Sequence, residues 1–452
     1  MSPPDKHPGS SVSPLERAAA WLEGLINVER LPELPYSRLS LDPICQLLAR
    51  VGEPQRDLCV IHVAGSKGKG STALFAEAIL RAGGERVGTF TSPHLERWTE
   101  RFRICGEEVS GDALASALEW LRPHAEALTK EAPGKAPTFF DVITAAAFLL
   151  FRDAAVDCAV VEVGMGGRLD STNVVDPAVA CITTIELEHT DRLGTTLAAI
   201  AGEKAGILKR GRPAVIGALP AEALAVVEAR AQELGAPLSR LCRELSSKVT
   251  SSDDSGVGVC LRDGSLEVEA KLSTLGVHQA ANAALALAGV RRATPHWARE
   301  TLAEAARAGL AAARLPGRVE LLGRRPFLVV DGAHTAESAR ALASALGTLA
   351  RRRSRLVLSV SSGKNLAGIL AAVLPCFDEI FVTRADSLRS LDPAQVAAAI
   401  RAADSRAAVH AVPNPFMALR GAREGLGEED LLCATGSLYL AGIARKVLAA
   451  ER

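Results

Sequence analysis

Residues 60–72 read Val60-Ile61-His62-Val63-Ala64-Gly65-Ser66-Lys67-Gly68-Lys69-Gly70-Ser71-Thr72. A β-branched apolar run enters a glycine-rich loop, which ends in a lysine and two hydroxyls before the helical stretch 73–82. Glycines let the backbone curl so that successive N–H groups point at phosphate oxygens, and a following helix adds partial positive charge. Lys69 can reach the β- and γ-phosphates of a nucleoside triphosphate, and the hydroxyl of Ser71 or Thr72 can touch Mg²⁺. The expected nucleotide-binding set is therefore Gly65, Ser66, Lys67, Gly68, Lys69, Gly70, Ser71 and Thr72, with Ser71 on the metal side. The loop is shorter than the common Gly-x4-Gly-Lys-Ser/Thr pattern, since two residues separate Gly65 from Gly68 and Gly70 precedes the hydroxyls. That spacing points away from generic GTPases and towards ATP-dependent amide formation. A glycine-rich turn in an unrelated α/β protein is the alternative.

Other segments place reactive groups where such a loop could use them. The apolar strand over 158–163 carries Glu162 near its end, a natural metal carboxylate for a phosphate-loop enzyme. Gly164, Gly166 and Gly167 then allow close backbone approach to a ligand. Ser92, in Thr91-Ser92-Pro93-His94-Leu95, follows the strand over 86–90 at a sheet's carboxyl edge, where ligands bind. On residue type alone this segment reads as a turn. His189 sits just past the strand over 178–185, and Glu203-Lys204 forms an acid–base pair near the end of a helix.

The elements that must position these groups alternate. Strands are expected at 58–63, 86–90, 158–163, 178–185 and 214–217, and helices at 15–28, 71–82, 111–121, 141–152, 195–208 and 221–234. This βα alternation predicts a mostly parallel sheet covered on both faces. Residues 260–272 differ: two alternating runs flank Arg262-Asp263-Gly264-Ser265, which reads as a hairpin. A second alternating series begins near Phe327, with strands at 327–331, 356–360, 379–383, 407–411 and 431–434. Its helices are expected at 337–348, 365–374, 393–402, 415–425 and 437–450. The boundary is placed at 311–317, where a helix gives way to Leu315-Pro316-Gly317. The expected organisation is a polar, disordered lead over 1–14, a phosphate-loop domain over 15–312, a linker over 313–317, and a smaller Rossmann-like α/β domain over 318–452.

Bulk composition narrows the partners. The 452 residues carry 52 Lys+Arg against 52 Asp+Glu, so no basic excess supplies a nucleic-acid footprint. Nine cysteines lack any C-x-x-C pair, which excludes a zinc-ribbon spacing and favours a reduced cytoplasmic setting. No apolar run reaches transmembrane length, so no membrane partner is expected.

Taken with the phosphate loop, five segments resemble the folylpolyglutamate synthase/dihydrofolate synthase family of the Mur ligase superfamily. They are Thr91–Leu95 with Glu100-Arg101-Phe102, Asp157–Asp170, Glu188-His189-Thr190 with Leu193-Gly194, Ile200–Lys209, and Pro316–Glu320 with Val329–His334. The resemblance implies ligation of L-glutamate to dihydropteroate or a folate, with ATP and Mg²⁺, through an acyl phosphate. By that likeness Ser92, Glu162 and His189 join Ser71 around magnesium, and Lys204 is carbamylated by CO₂. Asn282 lies against adenine, Arg318 contacts the γ-phosphate, and Asp331 meets the ribose. Leu169, Asp170 and Ser171 line a pterin pocket with Thr138, Phe139, Phe140 and Asp141. Lys69, Lys204, Arg318 and His334 are the expected catalytic set, His334 orienting the second-domain contact. The substrates are small molecules, and a monomer is expected.

The sequence also departs from the family pattern. Thr335-Ala336 stand where Asn-Pro usually follows the histidine, Lys67 where bacterial members mostly show Asn, Gly363-Lys364-Asn365 where Asp-Lys-Asp is common, and Asp141 where Glu is typical. Two other readings therefore stay open: a Mur-type ligase acting on another carboxylate, and a nucleotide-binding homologue without catalysis.

Overall fold

A computed structural model describes residues 13–27, 39–404 and 408–449. Most of the expected lead, together with Val28, Ala407 and Ala450 at the ends of expected elements, lies outside these residues. Ser13 and Pro14, placed in the lead by composition, instead open a helix, Pro14–Glu23. Ser13 caps it in a reciprocal pair with Glu16, which satisfies two backbone N–H groups that water would otherwise have to serve.

The first sheet has eight strands: β1 (Cys59–Ala64), β2 (Val87–Phe90), β3 (Phe102–Ile104), β4 (Glu107–Glu108), β5 (Cys158–Glu162), β6 (Val179–Ile182), β7 (Ala214–Ile216) and β8 (Leu238–Arg240). Their order is β4-β3-β2-β5-β1-β6-β7-β8. All neighbours are parallel except at the edge, where β3 runs antiparallel to both β2 and β4. β5, β6 and most of β1 are buried along their length, because helices cover both faces. One apolar cluster, containing Ile61, Phe75 and Leu287, fills one face, and another, containing Val60, Phe148 and Val161, fills the other.

Three antiparallel strands, β9 (Leu245–Asp253), β10 (Gly256–Asp263) and β11 (Leu266–Leu272), form a second sheet. The expected hairpin is its β10–β11 half, with Asp263 paired to Leu266. β11 alternates buried and open positions, and its apolar face joins the helices Gln279–Ala293 and Arg299–Ala312 in the first core.

The last sheet contains β12 (Glu320–Arg324), β13 (Phe327–Val330), β14 (Ser354–Leu358), β15 (Glu379–Val382), β16 (Ala408–Ala411) and β17 (Leu431–Thr435), ordered β12-β13-β17-β14-β15-β16. Only β12 is antiparallel to its neighbour. Leu275 belongs to one of its apolar clusters and Leu95 packs against the other, so residues that precede the 313–317 segment help fill this core.

Some boundaries differ from the sequence reading. The helix expected over 111–121 runs from Gly111 to Glu131, straight through Pro123, because the extension buries Ala125 and Leu128. The helix expected over 195–208 shortens to Leu197–Ala205, capped by Thr196. Among the described residues no helix is long and apolar enough to cross a membrane.

Candidate active site

Strand register assembles the site. Val63 pairs with Glu162, Ala64 with Ile182, and Phe90 with Val161. The carboxyl ends of β1, β5, β6 and β2 therefore lie side by side, bringing together the phosphate loop, Glu162, Thr183-Thr184 and Ser92. Ligands in such sheets bind beyond these ends.

The loop is held from β6. Ser66 N–H donates to the Thr184 carbonyl at 2.8 Å, Lys67 N–H to Thr184 Oγ1 at 2.8 Å, and Thr183 Oγ1 to the Lys67 carbonyl at 2.5 Å. Gly65 and Gly68 have φ of 148° and 83°, and a Cβ on either would lie 1.9 Å from Thr183 Oγ1 or 2.3 Å from Asn282 Oδ1. Gly68 leads directly into the helix Lys69–Ala82, so the helix N-terminus faces the loop. Lys69 Nζ donates to the Gly65 carbonyl at 3.0 Å. A Cβ on Gly70 would meet Arg318 Nη2 at 2.2 Å and Glu162 Oε2 at 3.3 Å, so a residue from the far end of the linker reaches the loop.

Arg318 owes this position to its neighbours. Val319 has φ of 47°, a left-handed conformation that a β-branched side chain resists. Asp331 pins it, accepting from Val319 N–H at 2.7 Å and from Ala333 N–H at 2.7 Å. Burial pushes the Asp331 carboxyl up to about 6. Both of its oxygens serve the backbone, so in this structure the expected ribose ligand anchors the linker.

Glu162 is buried, and its Oε2 accepts from Ser92 N–H at 3.0 Å. Burial raises its pKa, while Lys69 and Arg318 favour the charged form. The 92–97 segment is fixed by Glu100, whose carboxylate accepts from Leu95, Glu96 and Arg97 N–H groups at 2.7, 3.0 and 3.0 Å.

Opposite the loop, a small polar cavity is lined by Gly65, Lys69, Gly164, Glu188, His189 and Lys204, among others. Lys204 is 1% exposed, and its Nζ donates to Glu188 Oε1 at 3.2 Å. Burial brings its pKa down to about 8 even though Glu188 favours the charged ammonium. The other Glu188 oxygen, Oε2, faces Lys67 Nζ at 3.4 Å. Burial opposes its charge, but Lys69, Lys204 and Lys67 together hold Glu188 well below the ordinary carboxylate range. His189 has φ of 49°, and strain of this kind, of order 1–3 kcal/mol, persists only where the surroundings impose it. Burial lowers its pKa, leaving a neutral imidazole.

The expected pterin-side residues fall into two hydrogen-bonded groups and three apolar contacts. Thr138 and Asp141 cap the helix Phe139–Asp153 reciprocally, and Ser171 Oγ donates to Asp141 Oδ1 at 2.6 Å. Asp170 accepts from Met165 N–H at 2.9 Å and from the Thr172 hydroxyl, which also meets His62 Nε2 at 2.9 Å. Burial pushes Asp170 up to about 6. Phe140 lies against Gly164, where a Cβ would come within 2.5 Å of its ring. Leu169 packs against the cluster containing Ile200 and Ile207. Phe139 turns the other way, 5.4 Å from the Trp98 ring and 1% exposed, and serves the core.

Asn282 is buried and donates to Gln279 Oε1 at 2.8 Å beside Gly68. His334 Nδ1 pairs with the Gly332 carbonyl at 2.8 Å. Two departures have local explanations: Thr335 caps the helix Ala336–Leu346, and Asn365 caps Leu366–Val373. The sequence alone marks neither Glu188 nor Thr183 and Thr184 as site residues. Adjacency to His189 was the available signal for Glu188, whereas the threonines are revealed only by register.

Comparison with known proteins bears on the family and the fold. Residues 63–290 match the Mur ligase middle domain and residues 317–438 the Mur ligase glutamate ligase domain. The chain is 38% identical over 409 residues to the dihydrofolate synthase/folylpolyglutamate synthase of Mycobacterium tuberculosis, covering 86% of this chain and 83% of that protein. With the Bacillus subtilis protein of the same name it shares 32% over 442 residues, covering 95% and 98%. The structure of Mycobacterium tuberculosis folylpolyglutamate synthase complexed with ADP superimposes with a TM-score of 0.87 at 34% identity, over 96% of this chain and 98% of that one. With its phosphate loop, buried lysine and linker arginine gathered at one sheet edge, the chain belongs to the folylpolyglutamate synthase/dihydrofolate synthase family of Mur ligases.

Proposed function

We propose that this chain joins L-glutamate to the carboxylate of dihydropteroate, of reduced folates, or of both, using ATP. The observation that carries this reading is the convergence of Lys69, Glu188, His189 and Lys204 on one cavity, with Arg318 and Glu162 reaching the adjoining loop at Gly70. A carboxylate is a poor electrophile, and phosphorylation gives it a good leaving group. The acceptor carboxylate attacks the γ-phosphorus, ADP departs, and an acyl phosphate forms. The glutamate amine then attacks the acyl carbon and phosphate leaves. Lys69 and Arg318 offset the charge that spreads over the transferring group.

The donor set fits magnesium. Glu162 is a buried carboxylate within reach of the loop, and the hydroxyls of Ser71 and Ser92 add hard oxygen donors. His189 supplies a neutral imidazole on the cavity wall. Once bound, the ion would neutralise phosphate charge. Lys204, with its depressed pKa, is suited to capture CO₂, and its carbamate would lie among Lys67 and Lys69. Asn282 and the backbone around Gly68 would receive the nucleotide, while Thr138, Phe140, Asp141, Leu169, Asp170 and Ser171 form the pterin side.

The family matches break between 290 and 317, which supports a division into an ATP- and folate-binding domain over 15–312 and a glutamate-ligase domain over 318–452. Every group named comes from a single chain, so a monomer suffices. The test is phosphate release from ATP with magnesium and L-glutamate, comparing dihydropteroate, tetrahydrofolate and no acceptor. Release that requires both glutamate and an acceptor supports the ligase. Acceptor-independent or absent turnover overturns it.

A further inference from the structure

Cys59 opens β1 and Cys158 opens β5, and the two are register partners in neighbouring parallel strands. Partners of this kind project from the same face of the sheet. Here the Cys158 thiol donates to the Cys59 sulfur, with 3.2 Å between the Sγ atoms. A disulfide needs sulfurs about 2.05 Å apart and Cα atoms about 4.4–6.8 Å apart. Neighbouring strands run about 4.8 Å apart, so a small side-chain rotation closes the gap while the strands stay in place. Cys158 is buried and Cys59 half-buried, which leaves Cys59 as the way in for a small oxidant. The hydrogen bond from Cys158 lowers the pKa of Cys59 and raises its own, so the accessible sulfur is the better nucleophile.

We propose that Cys59 and Cys158 form a peroxide-responsive dithiol that closes to a disulfide between β1 and β5. The Cys59 thiolate attacks one oxygen of hydrogen peroxide, the O–O bond breaks, and hydroxide leaves to be protonated to water. Cys59 becomes a sulfenic acid. The Cys158 sulfur, giving up its proton, then attacks the Cys59 sulfur and displaces the hydroxyl group as a second water. Two electrons pass from the thiols to the peroxide, and one disulfide and two waters result. The bond would staple the two strands that end in the phosphate loop and in Glu162.

The test is non-reducing peptide mapping of the full chain after stoichiometric hydrogen peroxide, with free-thiol counting. The expected result is a linked Cys59–Cys158 peptide, a fall from nine free thiols to seven, and full recovery with dithiothreitol. In Cys158→Ser, dimedone should trap a sulfenic acid at Cys59, while the wild-type chain gives the linked peptide instead. Oxidation of the exposed Cys45 and Cys242 with no linked Cys59–Cys158 peptide would overturn the proposal. The wild-type mapping decides the matter even if the variant does not fold.

Discussion

Lys67 Nζ lies 3.4 Å from His334 Nε2, although 267 residues separate them in sequence. With Nδ1 bonded to the Gly332 carbonyl, the neutral ring presents Nε2 as an acceptor to the Lys67 ammonium. Lys67 thereby joins the phosphate loop to the Asp331–His334 turn.

This contact carries a measurable consequence. Burial first, and Lys67 second, bring the His334 pKa down to about 4. Lys67→Met removes the repelling charge, so the His334 pKa should rise in a histidine NMR titration. An unchanged value would mean that the two groups do not meet in solution.

Lys204 should give the reaction a dependence on CO₂. With a pKa of about 8, its neutral fraction grows from about a tenth at pH 7 to about nine tenths at pH 9. Carbamate formation, followed by ¹³C NMR with labelled bicarbonate, should rise over that range. Lys204→Ala should lose about 10²-fold or more in kcat, and Lys204→Arg should not recover it.

Gly70→Ala tests the approach of Arg318. The new methyl would sit 2.2 Å from Arg318 Nη2 and displace it. Loss of one charge-stabilising donor typically costs about 10²–10³-fold in kcat, and a drop of that order is expected with the melting temperature little changed. Arg318→Ala should give a similar loss, and the double variant little more, because both changes remove one interaction.

Asp331 should leave a signature in stability. Its pKa rises from 3.8 to about 6 on burial, so the folded state holds the proton more tightly than the unfolded state. The resulting stabilisation is fully present below about pH 4 and is lost as pH rises through about 6. Asp331→Asn cannot titrate. The stability of the wild type relative to this variant should therefore fall by up to about 3 kcal/mol between pH 4 and pH 7, as checked by thermal melts at each pH.

The sequence by itself determined the elements that rest on local rules. Glycine spacing and the strand–loop–helix pattern marked residues 65–72, and apolar runs of strand length marked β1, β5, β13 and β17. The small edge strands β3 and β4 escaped, since they are too short to show a period, and Pro123 concealed ten residues of helix because burial of Ala125 and Leu128 outweighs the proline's local cost. Roles depended on something else. Whether Glu188 pairs with Lys204, whether Asp331 faces a ligand or the linker backbone, and whether Phe139 or Phe140 lies against Gly164 all depend on which strand ends lie together. That was decided by register between segments far apart in the chain, where buried charges find partners that no local pattern encodes.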